Sequence, residues 1–471
     1  MNPLRIVVLL LTIVLFTNVV HAEHKETALT LNKFLEKVER YYPQIKIAQI
    51  EIAKANGALL EAMGKFDPTI NAIINSQPIG GYINNYGEVE VSVPTLYNGL
   101  KLFANYRHGQ GSWPLYYQNY LTNSGGEYKT GLSFPLMRNR LTDQTRAMII
   151  SSAQSILMKK HDADAIKIKI YQDAIKSYWG WIEAGQQVKI LQRLVKLAKQ
   201  RQQGIERQEA HGELSKLAIK ENQQQIIQRE QTLNQAMIVL EQAAIDLSLY
   251  YRDNQGNPQV PSPESIPNSP HPTIYYKNNT VSLAQHPAVQ KLNDYIAILH
   301  VKQDLAHNDL LPQVDLTAYT SKQNGTKGSA ALIPQAAMIG LSYKFPLLQR
   351  QARGSLIQAQ NELKQLTIEK KFAYEQLNNE YAKILVGIKR WASQVNLLKK
   401  ELSLALLIQK SEETKFREGD STLFLVNQRE QMTTQVQLNT LHAEIQLEEL
   451  QARAHFFYSS RISSALGNNK N

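Results

Sequence analysis

Cysteine is absent from all 471 residues. Disulfides, thiolate chemistry, Cys-type metal sites and a lipid anchor on an N-terminal cysteine are thereby excluded. Long hydrophobic runs are scarce too. Beyond the N-terminus no stretch of about 18 apolar residues occurs, so the segments of an ordinary inner-membrane protein are missing. Proline is missing from Leu136 to Asn257 and from Leu347 to Asn471, which leaves both stretches free to be helical throughout. Charge is moderate. The 52 Lys and Arg exceed the 41 Asp and Glu by 11, and the basic residues alternate with Glu and Gln along helical stretches. That pattern reads as solvated helix faces, not as a nucleic-acid surface. At 43% hydrophobic and 20% charged the chain has the composition of folded protein, and its length allows two or three domains.

The N-terminus has the features of a secretory signal. Met1 to Arg5 is short and positive, Ile6 to Phe16 is apolar except for Thr12, and Val20-His-Ala22 places small residues at −3 and −1 of a cleavage site. Residues 1–22 are read as a signal peptide with the mature chain starting near Glu23.

The remainder is written twice. Residues 41–70 and 285–314 align with Pro43 on Pro287 and Pro68 on Pro312, both at an offset of 244 (287 − 43 and 312 − 68). Each segment predicts a helix opened near one proline and closed before the next. TGLSFPLMRNR (130–140) then echoes IGLSYKFPLLQR (339–350), so Pro135 answers Pro346. Between prolines the first half holds 67 residues (135 − 68) and the second 34 (346 − 312), a surplus of about one hairpin that is rich in Gly, Tyr and Asn. Two proline-free stretches follow, each interrupted once, RQEAHGELSKLAI at Gly212 and KFREGDSTLFLVN at Gly419. The expected organisation is a first repeat over 23–257, a Pro-rich linker over 258–280 and a second repeat over 281–471.

Leu377, Ile384, Trp391 and Leu398 fall seven apart, with Tyr381, Ile388, Val395 and Leu402 between them. Ile168, Tyr171, Ile175, Tyr178 and Ile182 have the same spacing, which predicts helices supercoiled against neighbours. Gly419 followed by Asp420, Ser421 and Thr422 reads as a helix stop and a fresh start. Each half is then a helical hairpin with its tip at Gly212 or Gly419. Between the helices, Glu88-Val-Glu-Val-Ser-Val93 and Ile339, Leu341, Tyr343 and Phe345 alternate with period two. Such alternation suits a transmembrane β-strand or a soluble sheet with one buried face. About two strands per half predicts four in all. Four strands cannot close a membrane barrel, so membrane-spanning strands would require several chains to share one.

These features together resemble the outer-membrane factor family, the TolC-like channels of bacterial efflux and type I secretion. The Pro43–Pro68 and Pro287–Pro312 segments look like the family's duplicated openings. Phe416-Arg-Glu-Gly419 with Ser421, Thr422 and Leu423 resembles its hairpin-tip motif, and Ile462 to Gly467 resembles its closing helix. The resemblance implies a mainly α fold with internal duplication, in which long coiled-coil hairpins form a periplasmic α-barrel. It also implies a homotrimer whose protomers give four strands each to a twelve-stranded barrel in the outer membrane of a Gram-negative bacterium. The implied role is non-enzymatic and cofactor-free. An exit duct would conduct substrate passively from an inner-membrane pump of the RND, ABC or MFS type, with a periplasmic adaptor docked at the helical tips. Gly212, Glu213, Leu214, Ser215, Gly419, Asp420, Ser421 and Thr422 are the candidate contacts, and a turn-only role is the alternative for them. Where the family often carries acidic residues after the second tip, this chain reads Leu423 to Gln428, then Arg429 and Glu430, so an acidic ring is not expected.

Two rival readings compete with this one. Gly419-Asp-Ser421 could mark a hydrolase nucleophile, but no aspartate follows Asp420 to orient His442 or His455. A periplasmic coiled-coil scaffold or adaptor without a membrane barrel is the stronger alternative.

Overall fold

A computed structural model describes residues 28–267, 282–326 and 333–458. The expected signal peptide (1–22), residues 268–280 of the expected linker and the Ile462 to Gly467 segment lie outside them. After a first helix, α1 (Leu31–Tyr41), one order of elements runs twice. The first round is α2 (Pro43–Met63), strands β1 (Thr69–Gln77), β2 (Asn84–Pro94), β3 (Lys101–Gly111) and β4 (Glu127–Pro135), then α3 (Gln144–Ala210) and α4 (Lys216–Ser248). The second is α5 (Pro287–Asn308), β5 (Gln313–Gln323), β6 (Gln335–Lys344), α6 (Arg350–Glu418) and α7 (Leu423–His455). Both helices α2 and α5 start on the paired prolines. The long helices have 67 and 69 residues and each is followed by one of 33, so the duplication is visible in element lengths.

The strand count departs from the expected four. Among the described residues the first half contributes β1 to β4 and the second β5 and β6, six strands in all. The surplus sequence between Pro68 and Pro135 is the β2–β3 hairpin. β2 alternates over Glu88 to Val93 as a strand should, whereas β3 has Phe103 on its polar face and glycines near its end, so its period did not separate it from an enlarged loop.

The chain divides into two compact units. Of the described residues, one comprises 28–42, 170–267 and 384–458. Its core is aromatic. Leu31, Phe34, Leu35 and Val38 form a buried stripe on α1, and Tyr171, Ile175, Trp181 and Ile182 of α3 are buried too. Phe34 stacks on Tyr178 at 5.5 Å between centroids, and the Tyr178 hydroxyl donates to the Leu29 carbonyl at 2.8 Å. Each such buried side chain contributes roughly 1.5–3 kcal/mol over its exposed state. The α3–α4 and α6–α7 pairs are antiparallel hairpins. Asn222 reaches back to the Ala198 carbonyl and Arg229 to that of Leu194, while Thr433 donates to Ala405 and Lys399 pairs with Glu444.

The other unit comprises, of the described residues, 43–169, 282–326 and 333–383. It holds one antiparallel sheet in the order β1-β2-β3-β4-β5-β6. At one end, the helix end, the strands lead to α2, α3, α5 and α6. At the far end lie the last residues of β1, β3 and β5 and the first of β2, β4 and β6. Ion pairs between Lys159 and Glu51 (3.4 Å) and between Lys291 and Asp162 (2.8 Å) tie α3 to α2 and α5. His161 Nδ1 meets Asp294 Oδ2 at 2.6 Å.

Candidate functional site

Side chains alternate across a strand, so the register sorts the sheet into two faces. Residue rows place Ile70, Ala72 and Ile74 of β1 with Val89, Val91 and Val93 of β2 and Leu102, Ala104 and Tyr106 of β3. Tyr128, Thr130 and Leu132 of β4, Ala318 and Leu316 of β5, and Ile339, Leu341 and Tyr343 of β6 continue that face. The opposite face carries Asn71, Asn75, Glu88, Glu90, Asn105, Arg107, Glu127, Lys129, Ser321 and Asp315.

The apolar face is the open one. Ile70 is 73% exposed, Ile74 86%, Ile339 79% and Leu341 67%, whereas Asn105 and Glu127 on the polar face are 8% and 5% exposed. A water-soluble sheet buries the reverse face. The polar face also carries its own charged and hydrogen-bonded pairs: Arg107 pairs with Glu127, Asn105 donates to Glu88 at 2.7 Å, and the Tyr86 hydroxyl donates to the same carboxylate, while the Asn105 Oδ1 is buried with no partner. The strands are 9, 11, 11, 9, 11 and 10 residues long, the length a tilted transmembrane strand needs. Tyr106 and Tyr128, 4.8 Å apart, sit toward the far end of the apolar face, with Phe134 and Tyr343 at its helix end, where an interfacial aromatic girdle belongs. Among the described residues no helix is long and apolar enough to cross a membrane.

The segment between β3 and β4 folds over the polar face at the far end. Gly109 permits the approach: a Cβ built there would lie 1.9 Å from the Tyr120 carbonyl oxygen. Thr122 N–H donates to the Gly109 carbonyl at 2.9 Å, and Gly109 N–H donates to the Thr122 hydroxyl at 3.1 Å. Trp113 stacks on Tyr120 at 5.3 Å, and Tyr86 meets Tyr120 edge-on at 4.8 Å.

The two helical turns in the other unit are built alike. Gly212 N–H donates to Glu209 and Glu213 N–H to Gln208; Gly419 N–H donates to Phe416 and Asp420 N–H to Lys415. Both are Schellman closures, in which glycine takes the left-handed position, here at φ +78° and +85°. Ser215 and Thr422 then cap the returning helices. The Thr422 hydroxyl accepts from Leu425 N–H at 3.4 Å, while Ser215 makes no side-chain cap bond. Ser421 donates to Glu412, so the Gly-Asp-Ser run serves a turn and a cap. Gly212, Glu213, Ser215, Gly419, Asp420 and Thr422 are exposed, and Leu214 and Ser421 are half-buried. Four of the sequence candidates thus gather at each turn.

Leu217 and Phe424 escaped the sequence reading. Both stand five residues past their glycine, both on the first turn of the returning helix, and they are 64% and 70% exposed. The internal offset of 207 (419 − 212) would have paired them.

Below the turns lies a buried charged cluster. Arg201 on α3 and Arg229 on α4 both bind the Glu430 carboxylate on α7, Arg229 at 2.9 Å, and both donate to Asn427 Oδ1, at 2.9 and 3.2 Å. Glu430 is 1% exposed. Burial, reinforced by the charge of Arg201, pushes the Arg229 guanidinium down to about 10. Burial lowers Arg201 as well, against the opposing pull of Glu413. Glu430, the first acidic residue of α7, therefore points into packing between helices of one chain.

No protein-family model matches the chain, and no curated protein sequence matches it. Solved structures do. The outer membrane protein VceC of Vibrio cholerae superposes with a TM-score of 0.66 at 13% identity, covering 91% of this chain and 96% of its own. The CmeC outer membrane channel of Campylobacter jejuni gives 0.64 at 13% identity over 93% and 88%. The MtrE outer membrane channel of Neisseria gonorrhoeae, in its open state, gives 0.63 at 12% over 91% and 88%. The chain has the fold of these outer-membrane channels. The arrangement is TolC-like, long paired helices with a β-domain, as the repeats and hairpin tips led one to expect.

Proposed function

We propose that the chain is the outer-membrane exit duct of a tripartite efflux pump or type I secretion system. It would conduct substrate passively from an inner-membrane pump to the exterior and span the outer membrane with a periplasmic extension. The observation that carries this reading is the inverted sheet: an exposed apolar face, a polar face with its own charged and hydrogen-bonded pairs, and strands of membrane-crossing length on a channel fold. Lipid would cover the apolar face and the aqueous path would follow the polar one.

Self-association is part of the proposal. On α6 alone Ile357, Ile368, Phe372, Val386, Leu397, Leu404 and Ile408 are between 47% and 70% exposed. Their separations of 11, 4, 14, 11, 7 and 4 residues keep them on one helical face, a seam suited to helices of neighbouring protomers in a homotrimer. At the turns, Gly212, Glu213, Leu214 and Ser215 with Gly419, Asp420, Ser421 and Thr422 would meet a periplasmic adaptor, and Leu217 and Phe424 would add apolar anchors. Exposed aromatic and aliphatic side chains beside a rigid turn supply what a helical partner needs.

Planar-bilayer recording from detergent-purified protein tests the channel reading. Discrete conductance steps are expected; a bilayer that stays silent at all protein loadings would contradict it. For the adaptor surface, Leu217→Ser with Phe424→Ser should abolish adaptor cross-linking in cells while leaving the amount of protein in the outer membrane unchanged.

A further inference from the structure

Six strands per chain change the size of the barrel. Among the described residues β1 pairs only with β2 and β6 only with β5, so both edges of the sheet offer unpaired backbone groups. Open edges are not tolerated in lipid, and the exposed apolar face on both edge strands demands that they be closed there. β1 leaves the helix end and β6 returns to it, so β6 of one copy is antiparallel to β1 of the next. A ring of copies therefore closes without a parallel pair.

The β2–β3 hairpin is continuous with the wall. Its residues fall in the same rows as those of its neighbours: Thr69, Ser92, Phe103, Gly131, Tyr319 and Met338 form one unbroken row from β1 to β6. That row begins at the helix end of β1 and meets β6 six residues short of its own helix end (344 − 338). Closure of a barrel requires such a stagger. Six residues of slide across five strand spacings correspond to a strand tilt of about 40°, inside the range of closed barrels.

We propose that each chain gives all six strands to the outer-membrane wall, so that three copies close an eighteen-stranded barrel through β6-to-β1 pairing. The proposal rests on the outer-membrane duct reading and specifies its partner surface, the two sheet edges of neighbouring copies. At this tilt an eighteen-stranded wall has a backbone diameter of roughly 36 Å, against roughly 24 Å for twelve strands, and about twice the cross-section. The Leu115–Tyr120 segment lies on the polar face, inside such a wall, and three copies of it narrow the wider bore at its far end.

Deletion of residues 84–111 offers a direct test, because it removes β2 and β3 and leaves β1 joined to β4 through the far-end turn. Single-particle microscopy of the full chain in lipid nanodiscs is expected to count eighteen strands in a trimer. The deletion variant is expected to count twelve and, with the Leu115–Tyr120 segment also removed from both proteins, to conduct about twofold less. In the cysteine-free full chain, one cysteine at Ala72 and another at one of positions 335–343 should cross-link into covalent trimers for a run of adjacent choices. A trimer whose wall has twelve strands, with β2 and β3 lying off it, overturns the proposal and leaves the duct reading intact. Two copies closing a twelve-stranded wall also overturn it. A protein that forms no pore and stays monomeric defeats the duct reading itself. If the deletion variant does not fold, the strand count and the cross-links of the full chain decide alone.

Discussion

Gly212 and Gly419 sit in open space, with no atom within 4 Å of a built Cβ, yet both hold left-handed backbone. Alanine at either position meets no neighbour, so its cost is backbone strain alone, about 1–2 kcal/mol. Thermal melts should show a drop of a few degrees for each, partly restored by asparagine. Thr422→Ala removes a made cap bond and should cost about 1 kcal/mol, more than Ser215→Ala, which removes none. The Glu430 cluster is less forgiving. Glu430→Gln leaves Arg201 and Arg229 buried against each other, a loss of about 3–5 kcal/mol in denaturant unfolding. Replacing all three by apolar residues of similar volume should recover most of it. Glu448 supplies a pH signature: burial, reinforced by the charge of Glu444 and opposed by Lys399, raises its carboxyl to about 7. The folded state then holds a proton that the unfolded chain has released. The resulting stabilisation is complete below the ordinary value of 4.5 and is lost as pH rises through about 7. Melting temperatures of wild type should fall between pH 5 and pH 8, and Glu448→Gln should flatten that slope.

At the scale of elements, the sequence carried the helices well and the strands poorly. Two prolines opened α2 and α5 where they fix φ, and Gly212 and Gly419 closed α3 and α6 through the one residue type that enters the left-handed region freely. Such signals are local, so a single reading finds them. Strand number is not local. β2 showed its period in Glu88 to Val93, but β3 breaks its own with Phe103 and its glycines and is told from a long polar loop only by its partners across the sheet. The Arg201–Arg229–Glu430 cluster was hidden for the same reason, since its members are separated by 28 and 201 residues (229 − 201 and 430 − 229) and meet only through packing. The β3–β4 segment yields a prediction of its own. Gly109→Val cannot coexist with the Tyr120 carbonyl where it lies now. The variant should release Trp113 from Tyr120, shift its fluorescence to the red, and raise single-channel conductance if the segment narrows the pore.

For the whole molecule, the channel fold, the inverted sheet and the unpaired strand edges agree that one chain is incomplete. A lone copy would expose two strand edges and an apolar sheet face together, which neither water nor lipid tolerates. The most direct measurement is the protein mass of the particle extracted from outer membranes in mild detergent, by light scattering with the detergent contribution subtracted. The account predicts three chains per particle, retained after salt and alkaline washing of the membranes. A monomer stable across several detergents, or a protein released by those washes, would contradict it.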